Sequence, residues 1–229
     1  MTDQSDIGNL LCGFAGKLTK LRINRVTSCD RVANGFVLVT NAEWCLLWQF
    51  HDFFPDGFAL MRVDGIASIR CGEYEKHWTK MLADEGIAGF LPKLDIVIGD
   101  LSSMLSQLQQ TNRNFVIECE SRDDDIEDFY IGRILTIHDQ FCEFANFDGL
   151  GPWDDEPHTI QPDDITRIQW DTPYANTFSR HLAGPCPFFE TGEVGCSLEL
   201  GGKIRGGGTA RCGLVPPHSD ECAYGGSLR

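Results

Sequence analysis

The residues best suited to acid–base chemistry are histidines and carboxylates in the second half of the chain. His138 precedes an aspartate, residues 154–158 form an acidic run that ends on a histidine, and Asp164 belongs to an aspartate pair. Such groups transfer protons when they are held beside a reacting atom. However, the sequence shows no set of a nucleophile, a general base and a group that orients the base. We therefore expect no catalytic site. A hydrolase or other enzyme that uses these second-half groups is the alternative.

Three further segments have the composition of ligand sites but not the spacing. The acidic loop 123–128 lacks the glycine and the distal glutamate of a helix-loop-helix calcium site. The cysteines at 186, 196, 212 and 222 form two pairs with nine residues between partners, whereas paired zinc ligands usually lie two to four residues apart. The glycine-rich run 201–208 contains a lysine that no serine or threonine follows. We therefore expect neither a metal nor a cofactor.

The ten cysteines are typical of free thiols in a reducing compartment. Cys45 and Cys142 lie in apolar, strand-like runs, where cysteine behaves as a small hydrophobic residue. No apolar run approaches the roughly 20 residues of a membrane span. We expect a cytoplasmic protein without a membrane segment.

The acidic charge is concentrated in one part of the chain. The net charge is −15, and residues 121–172 alone contribute −11, from fourteen acidic residues against three arginines. Because nucleic-acid binding depends on lysine and arginine, this charge argues against it. The first 34 residues are mildly basic, through Lys17, Lys20, Arg22, Arg25 and Arg31. Weak nucleic-acid binding by this basic strand is a second alternative.

The chain carries an internal repeat. Residues 35–50 match residues 132–147 at a constant offset of 97. After a looser stretch, Ile66 and Ile69 match Ile165 and Ile168 at offset 99, and the match continues at offset 100 with Tyr74, Trp78 and Leu82 against Tyr174, Phe178 and Leu182. A unit of this length is a small domain rather than a solenoid repeat.

Each copy of the repeat reads as five short strands followed by a helix. The strands are predicted at 18–26, 35–40, 44–50, 58–63 and 66–71, and again at 114–121, 130–137, 141–147, 159–161 and 165–170, with helices from about Glu73 and Tyr174. Tight turns between such strands favour small closed barrels. We predict a mainly β protein with short helices (α+β), built from two tandem small five-stranded β-barrels. The predicted parts are an N-terminal segment (1–16), a first barrel with its helix (17–84), a connector with a helix capped by Asp100 (85–113), a second barrel with its helix (114–182), and a disordered Gly/Cys-rich tail (183–229).

Side-chain alternation in the third strand of each copy suggests a binding surface. Leu46 and Trp48 align with Glu143 and Ala145, and an unpaired glutamate is costly to bury. This face is therefore predicted to point outward. Leu46 and Trp48 there either form a partner-binding patch or pack under the neighbouring helix or against the other copy. Phe50 and Phe147 break the alternation, because both copies are apolar there, which predicts a bulge or a strong bend before each of them.

Several segments together resemble a known group of proteins. The stretches 56–66, 147–157, 164–168 and 174–182 look like an uncharacterised bacterial protein family with tandem Sm-like small β-barrels. This resemblance covers about residues 15–182 and implies the tandem-barrel fold without an activity. The Arg-Gly turn of RNA-binding Sm proteins is replaced by Asp64-Gly65 and Asp163-Asp164. We expect a non-catalytic binding or adaptor protein that meets a protein partner, or another copy of itself, through strand edges or the outer aromatic face.

Overall fold

A computed structural model describes residues 4–26, 32–120 and 127–189. These residues form four α-helices: α1 (Gln4–Phe14), α2 (Glu73–Asp84), α3 (Leu101–Gln109) and α4 (Pro173–Arg180). They also form ten strands: β1 (Leu21–Arg25), β2 (Val32–Thr40), β3 (Trp44–His51), β4 (Phe54–Arg62), β5 (Ile66–Arg70), β6 (Phe115–Glu120), β7 (Glu127–Ile137), β8 (Cys142–Asn146), β9 (His158–Ile160) and β10 (Arg167–Trp170). A single 3-10 turn spans Pro162–Asp164 in this part of the chain. The mainly β composition predicted from the sequence is confirmed.

All ten strands belong to one open antiparallel sheet, in the order β5-β1-β2-β3-β4-β10-β6-β7-β8-β9. The prediction of two closed Sm-like barrels is wrong. A closed first barrel would need both edges of β4 to pair within its own half. One edge pairs with β3, but the other pairs with β10, for example Met61 with Arg167 and Phe58 with Trp170. The second half thus continues the sheet that the first half begins.

The sheet is strongly curled, as shown by a contact between β1 and β6, the second and seventh strands of the sheet order. Four strands separate β1 from β6 in the sheet order. Nevertheless Nη1 of Arg25 on β1 lies 3.0 Å from Oε2 of Glu118 on β6, and Arg25 also pairs with Glu120. Arg167 of β10 joins this group, with Nη1 3.4 Å from Glu118 Oε1. A flat sheet could not bring these groups together, since neighbouring strands lie about 4.8 Å apart.

Helices cover apolar residues of the sheet in two large core clusters. One cluster contains Ile7 and Leu11 of α1 together with Leu21, Ile23, Cys45 and Leu47. The other contains Met104, Leu105 and Leu108 of α3 together with Leu46, Phe144 and Ile168. Asp100 caps α3 by accepting a hydrogen bond from the Ser103 amide, as predicted for the connector.

The predicted tail overlaps the described residues only at its start. Residues 183–189 pack against the second half of the chain, where Trp153 Nε1 donates to the carbonyl of Gly184 at 3.0 Å. The prediction for residues 190–229 lies outside the described residues, as does most of the acidic loop. None of the described helices is both long and apolar enough to cross a membrane.

Two glycines hold neighbouring strands together at matching positions of β2 and β7. A Cβ on Gly35 would lie 2.1 Å from the Trp48 carbonyl oxygen, and a Cβ on Gly132 would lie 1.8 Å from that of Ala145. The strand register shifts just beyond them, between Val37 and Val39 and between Ile134 and Thr136. The bulge predicted before Phe50 is also present, because the β3–β4 register shifts between Trp48 and Phe50.

We expect Gly35→Ala to destabilise the protein. The added methyl group would force β2 and β3 apart, and such overpacking costs about 1–3 kcal/mol or more. Chemical denaturation followed by circular dichroism measures the change. Gly8→Ala is the control, because Gly8 lies in α1 with nothing within 4 Å of the added methyl group; it should leave stability unchanged or raise it by up to about 1 kcal/mol. Equal stability of the two variants would contradict the close strand approach.

Candidate functional site

The structure places the predicted partner patch largely inside the protein. Leu46 is 1% exposed and belongs to the α3 core cluster. Trp48 is half-buried, with its ring 4.7 Å from that of Phe50. Leu46 lies under α3 and against residues of the second half, which is the alternative to a partner-binding patch. Partner binding by these two residues stays an untested prediction.

The acid–base candidates are distributed over separate places. His158 Nε2 lies 2.7 Å from Asp154 Oδ2, and His138 Nε2 lies 3.8 Å from Glu143 Oε2. Partial burial would raise the pKa of Asp154, but hydrogen bonds from Asn146 and His158 outweigh it and lower that pKa. Asp164 is exposed on the 3-10 turn. Within the described ranges, no group of three or more histidine, cysteine or carboxylate side chains could hold a metal ion.

The thiols of the repeat are core residues, as predicted. Cys45 and Cys142 are both fully buried. Burial raises the pKa of Cys45 to about 12 and that of Cys142 to about 11. Because the thiolate is the reactive form, burial and the raised pKa values argue against a reactive thiol at either position.

Part of the charge of the basic N-terminal strand is buried. Arg25 is buried in ion pairs, and Lys20 is also buried. Lys17 remains exposed and Arg22 is half-buried. The prediction for Arg31 lies outside the described residues.

A cleft rich in aromatic residues lies beside the β4–β10 junction. Asp56 and Gly57 occupy the start of β4, and Gly57 has φ of 74°. A Cβ at Gly57 would lie 2.4 Å from the Trp170 carbonyl oxygen, so glycine permits the close approach of the two strands. This approach brings Asp56 next to the segment that leads from β10 into α4.

Local capping positions the aromatic side chains of α4. Thr172 is the N-cap, and its Oγ1 accepts a hydrogen bond from the Ala175 amide at 3.0 Å. Tyr174 and Phe178 then lie one turn apart, with ring centroids separated by 4.7 Å. On the other side, Phe129 of β7 meets Tyr174 edge to face at 6.0 Å. The three rings form one continuous aromatic row.

Two cavities meet at Asp56 and Tyr174, and together they form what we call the aromatic cleft. One, of about 340 Å³, is lined by Asp56, Val116, Phe129, Gln169, Thr172 and Tyr174. The other, of about 560 Å³, is lined by His51, Phe54, Pro55, Asp56, Pro173, Tyr174, Thr177 and Phe178. Large apolar side chains remain open to solvent there, since Phe54 is 73%, Tyr174 51% and Phe129 46% exposed. Exposed apolar patches of this kind commonly mark binding sites.

Asp56 is the acidic group that both cavities share. Within the part of the chain that the structure describes, its carboxylate makes neither a hydrogen bond nor an ion pair. Burial raises the pKa of Asp56, although the nearby charges of Arg167 and His51 oppose this shift. The carboxylate is thus partly removed from water without receiving a partner, an arrangement that favours a cationic ligand.

The sequence does not predict this cleft. Asp56 falls between the predicted strands 44–50 and 58–63, and Tyr174 begins the second predicted helix. The only available signal was an aspartate within an aromatic segment, at residues 53–58. The other residues of the cleft lie far from Asp56 in the sequence, because α4 comes close to Asp56 only through the β4–β10 pairing.

The fold and the cleft define a mostly β protein with an acidic, aromatic surface site. No known protein family, curated protein or solved structure matches this chain. The resemblance to a bacterial family therefore remains a prediction.

Asp56→Asn should stabilise the folded protein at neutral pH. Because the pKa of Asp56 is raised in the folded state, the carboxyl group contributes stability below its ordinary value of 3.8, and this contribution is lost as the pH rises through the raised pKa. The neutral amide avoids that loss. Thermal melting of the two proteins from pH 3 to pH 8 measures the difference, which should disappear below about pH 3.8.

Asp155→Asn is the matched control, since Asp155 is exposed and lies outside the cleft. Surface changes of this kind alter stability by less than about 0.5 kcal/mol. A destabilised Asp56→Asn protein at pH 7 would contradict the view of Asp56 as an uncompensated carboxylate.

Proposed function

We propose that this chain is a non-catalytic binding protein whose aromatic cleft captures a lysine or arginine side chain of a protein partner. The observation that carries the proposal is Asp56, a half-buried carboxylate with a raised pKa that is shared by two aromatic cavities. A bound cation would be the oppositely charged partner that the Asp56 carboxylate lacks among the described residues. Asp56 would then act as the anchor of recognition.

The aromatic walls suit the same ligand. Cations are attracted to the faces of aromatic rings, by about 0.5–2 kcal/mol according to their exposure. Tyr174 stands between the two cavities, and Phe54 and Phe129 line one cavity each. Arginine and lysine side chains also have apolar stems that pack against such rings. The cleft thus offers contacts for both the charged end and the stem.

The charge distribution favours a basic partner over longer distances. Residues 121–172 carry a net charge of −11, and both Phe129 and the 3-10 turn before β10 belong to that stretch. A field of one sign accelerates the association of oppositely charged molecules. Binding is therefore expected to weaken as salt concentration rises.

Titration with short peptides tests the proposal. Acetylated, amidated glycine peptides that carry one arginine or one lysine should shift the NMR signals of Asp56, Phe129 and Tyr174, whereas the citrulline and norleucine analogues should not. Asp56→Asn should weaken binding by about 10- to 100-fold, because hydrogen bonds to charged groups contribute about 1.5–3 kcal/mol.

Two control variants, Asp155→Asn and Tyr74→Ala, separate binding in the cleft from general effects of losing a charge or an aromatic ring. Asp155→Asn changes the net charge equally and should bind like the parent protein. Tyr174→Ala should weaken binding, whereas Tyr74→Ala, at the corresponding position of α2 and 75% exposed, should not. Equal binding of the charged and neutral peptides, or unchanged affinity in Asp56→Asn, would contradict cation capture.

We also propose that the two halves of the chain derive from one duplicated unit. Support comes from Gly35 and Gly132, which sit in the same close strand approach, and from register shifts that differ in position by 97 residues. The order of pairing supports it as well, since β5-β1-β2-β3-β4 is followed by β10-β6-β7-β8-β9.

A cytoplasmic location is the final part of this proposal. Its support is the state of the described cysteines, all six of which are free thiols. Proteins of reducing compartments keep their thiols in this form.

A further inference from the structure

A second, smaller cavity collects positive charge at the β5–β1–β2 end of the strand order. It measures about 110 Å³ and lies where the first strands meet α2. Its lining includes Lys20, Arg22, Asn34, Arg70, Glu75 and Trp78. We call it the basic cavity. Its composition is unexpected in a chain with a net charge of −15.

Strand pairing aligns three of these residues in one row. Arg22 of β1 is the direct neighbour of Arg70 on β5 and of Asn34 on β2. Like charges placed directly opposite each other on antiparallel strands are destabilising. In the described part of the chain, Arg22 makes no ion pair or hydrogen bond that would offset this repulsion.

Lys20 adds a third cation to the lining of the basic cavity. Its residue is 2% exposed, and its ammonium group lies 4.4 Å from the centre of the Trp78 ring. Burial lowers the pKa of Lys20; Arg22 and Arg70 lower it further, while Glu75 and Asp52 oppose the shift. Among the described residues, no oxygen accepts a hydrogen bond from its ammonium group.

The one carboxylate of the cavity is already engaged. Glu75 Oε1 lies 2.6 Å from Arg70 Nη2, and Glu75 Oε2 accepts a hydrogen bond from the Gly72 amide at 2.7 Å. Burial would raise the pKa of Glu75, but these bonds outweigh it and lower that pKa. Three cations against one anion leave the lining with an excess of two positive charges.

We propose that the basic cavity binds the phosphoryl group of a small phosphomonoester. A phosphomonoester carries a charge of about −1.5 to −2 at neutral pH, which matches the excess of two positive charges. Arginine guanidinium groups bind phosphate oxygens through paired hydrogen bonds, and lysine supplies a point charge. The small volume admits the phosphoryl group, while the rest of the ligand meets Tyr74, which also lines the cavity and is 75% exposed.

The basic cavity shares no lining residue with the aromatic cleft. Either proposal can therefore fail without the other. The bound anion offsets the repulsion between Arg22 and Arg70, just as a bound cation would pair with the Asp56 carboxylate. It also explains how Lys20 can be buried without an acceptor in the described structure.

Isothermal titration of the full chain with phenyl phosphate and with inorganic phosphate tests the proposal. The parent protein should bind phenyl phosphate, and Arg22→Gln should weaken this binding at least tenfold. In phosphate-free buffer Arg22→Gln should melt at the same temperature as the parent or higher, because one of two facing arginines is gone. Arg180→Gln removes an exposed arginine of α4 and should keep the parent affinity.

Further variants distinguish the possible ligands and guard against misfolding. Tyr74→Ala should weaken phenyl phosphate binding more than inorganic phosphate binding, which supports an ester as the ligand. Tighter binding of inorganic phosphate than of phenyl phosphate would overturn the ester assignment. Equal affinity of phenyl phosphate for the parent and Arg22→Gln, or for the parent and a folded Lys20→Met protein, would overturn the site itself.

Discussion

The contact between Arg25 and the β6 carboxylates is the interaction on which the rest of the structure depends. It joins β1 to β6, although four strands lie between them in the sheet order. All three side chains are almost completely buried, and Arg167 completes a set of two arginines and two glutamates. Removing one partner from a buried ion pair typically costs about 3–5 kcal/mol, because the remaining charge stays buried. The pairing thus penalises any flatter arrangement of the sheet.

The same network explains why Asp56 lacks a partner. Arg167 is the cation whose charge acts most strongly on Asp56, yet its guanidinium group is bonded to Glu118 and Gln49. The electrostatic field of Arg167 therefore reaches the aromatic cleft, but its hydrogen bonds do not. Asp56 is thus partly dehydrated and receives no hydrogen bond from Arg167, so its carboxylate oxygens stay open to an external donor. The basic cavity shows the reverse arrangement, since the charges of Arg22 and Lys20 exceed that of the available carboxylate.

Local patterns in the sequence predicted most strands and few of the contacts between them. The alternating run around Cys45 and the helical spacing of Tyr74 and Trp78 depend on near neighbours, and the structure places β3 and α2 there. The short helix α1 was missed because Gly8 and Gly13 weaken its helical pattern. The pairing of β4 with β10 joins residues more than 100 positions apart, and no local periodicity encodes the choice of partner. The closed barrels were therefore wrong even though the strand positions were close.

The candidate sites were hidden for the same reason. Asp56 and Tyr174 are unremarkable as isolated residues, and only the curled sheet places them around one cleft. Lys20, Arg22 and Arg25 look equivalent as a basic segment, but the structure gives each a different environment. Burial and ion pairing, rather than residue type, distinguish the structural Arg25 from Lys20 and Arg22 of the basic cavity.

The most direct test of the curled sheet is a double-mutant cycle on Arg25 and Glu120. The free energy of unfolding would be measured for the parent, Arg25→Met, Glu120→Gln and the double variant. A buried contact between β1 and β6 predicts that the double variant is more stable than the sum of the single effects, by about 0.5–3 kcal/mol. Strictly additive effects would show that the two residues do not touch, and would contradict the curled sheet.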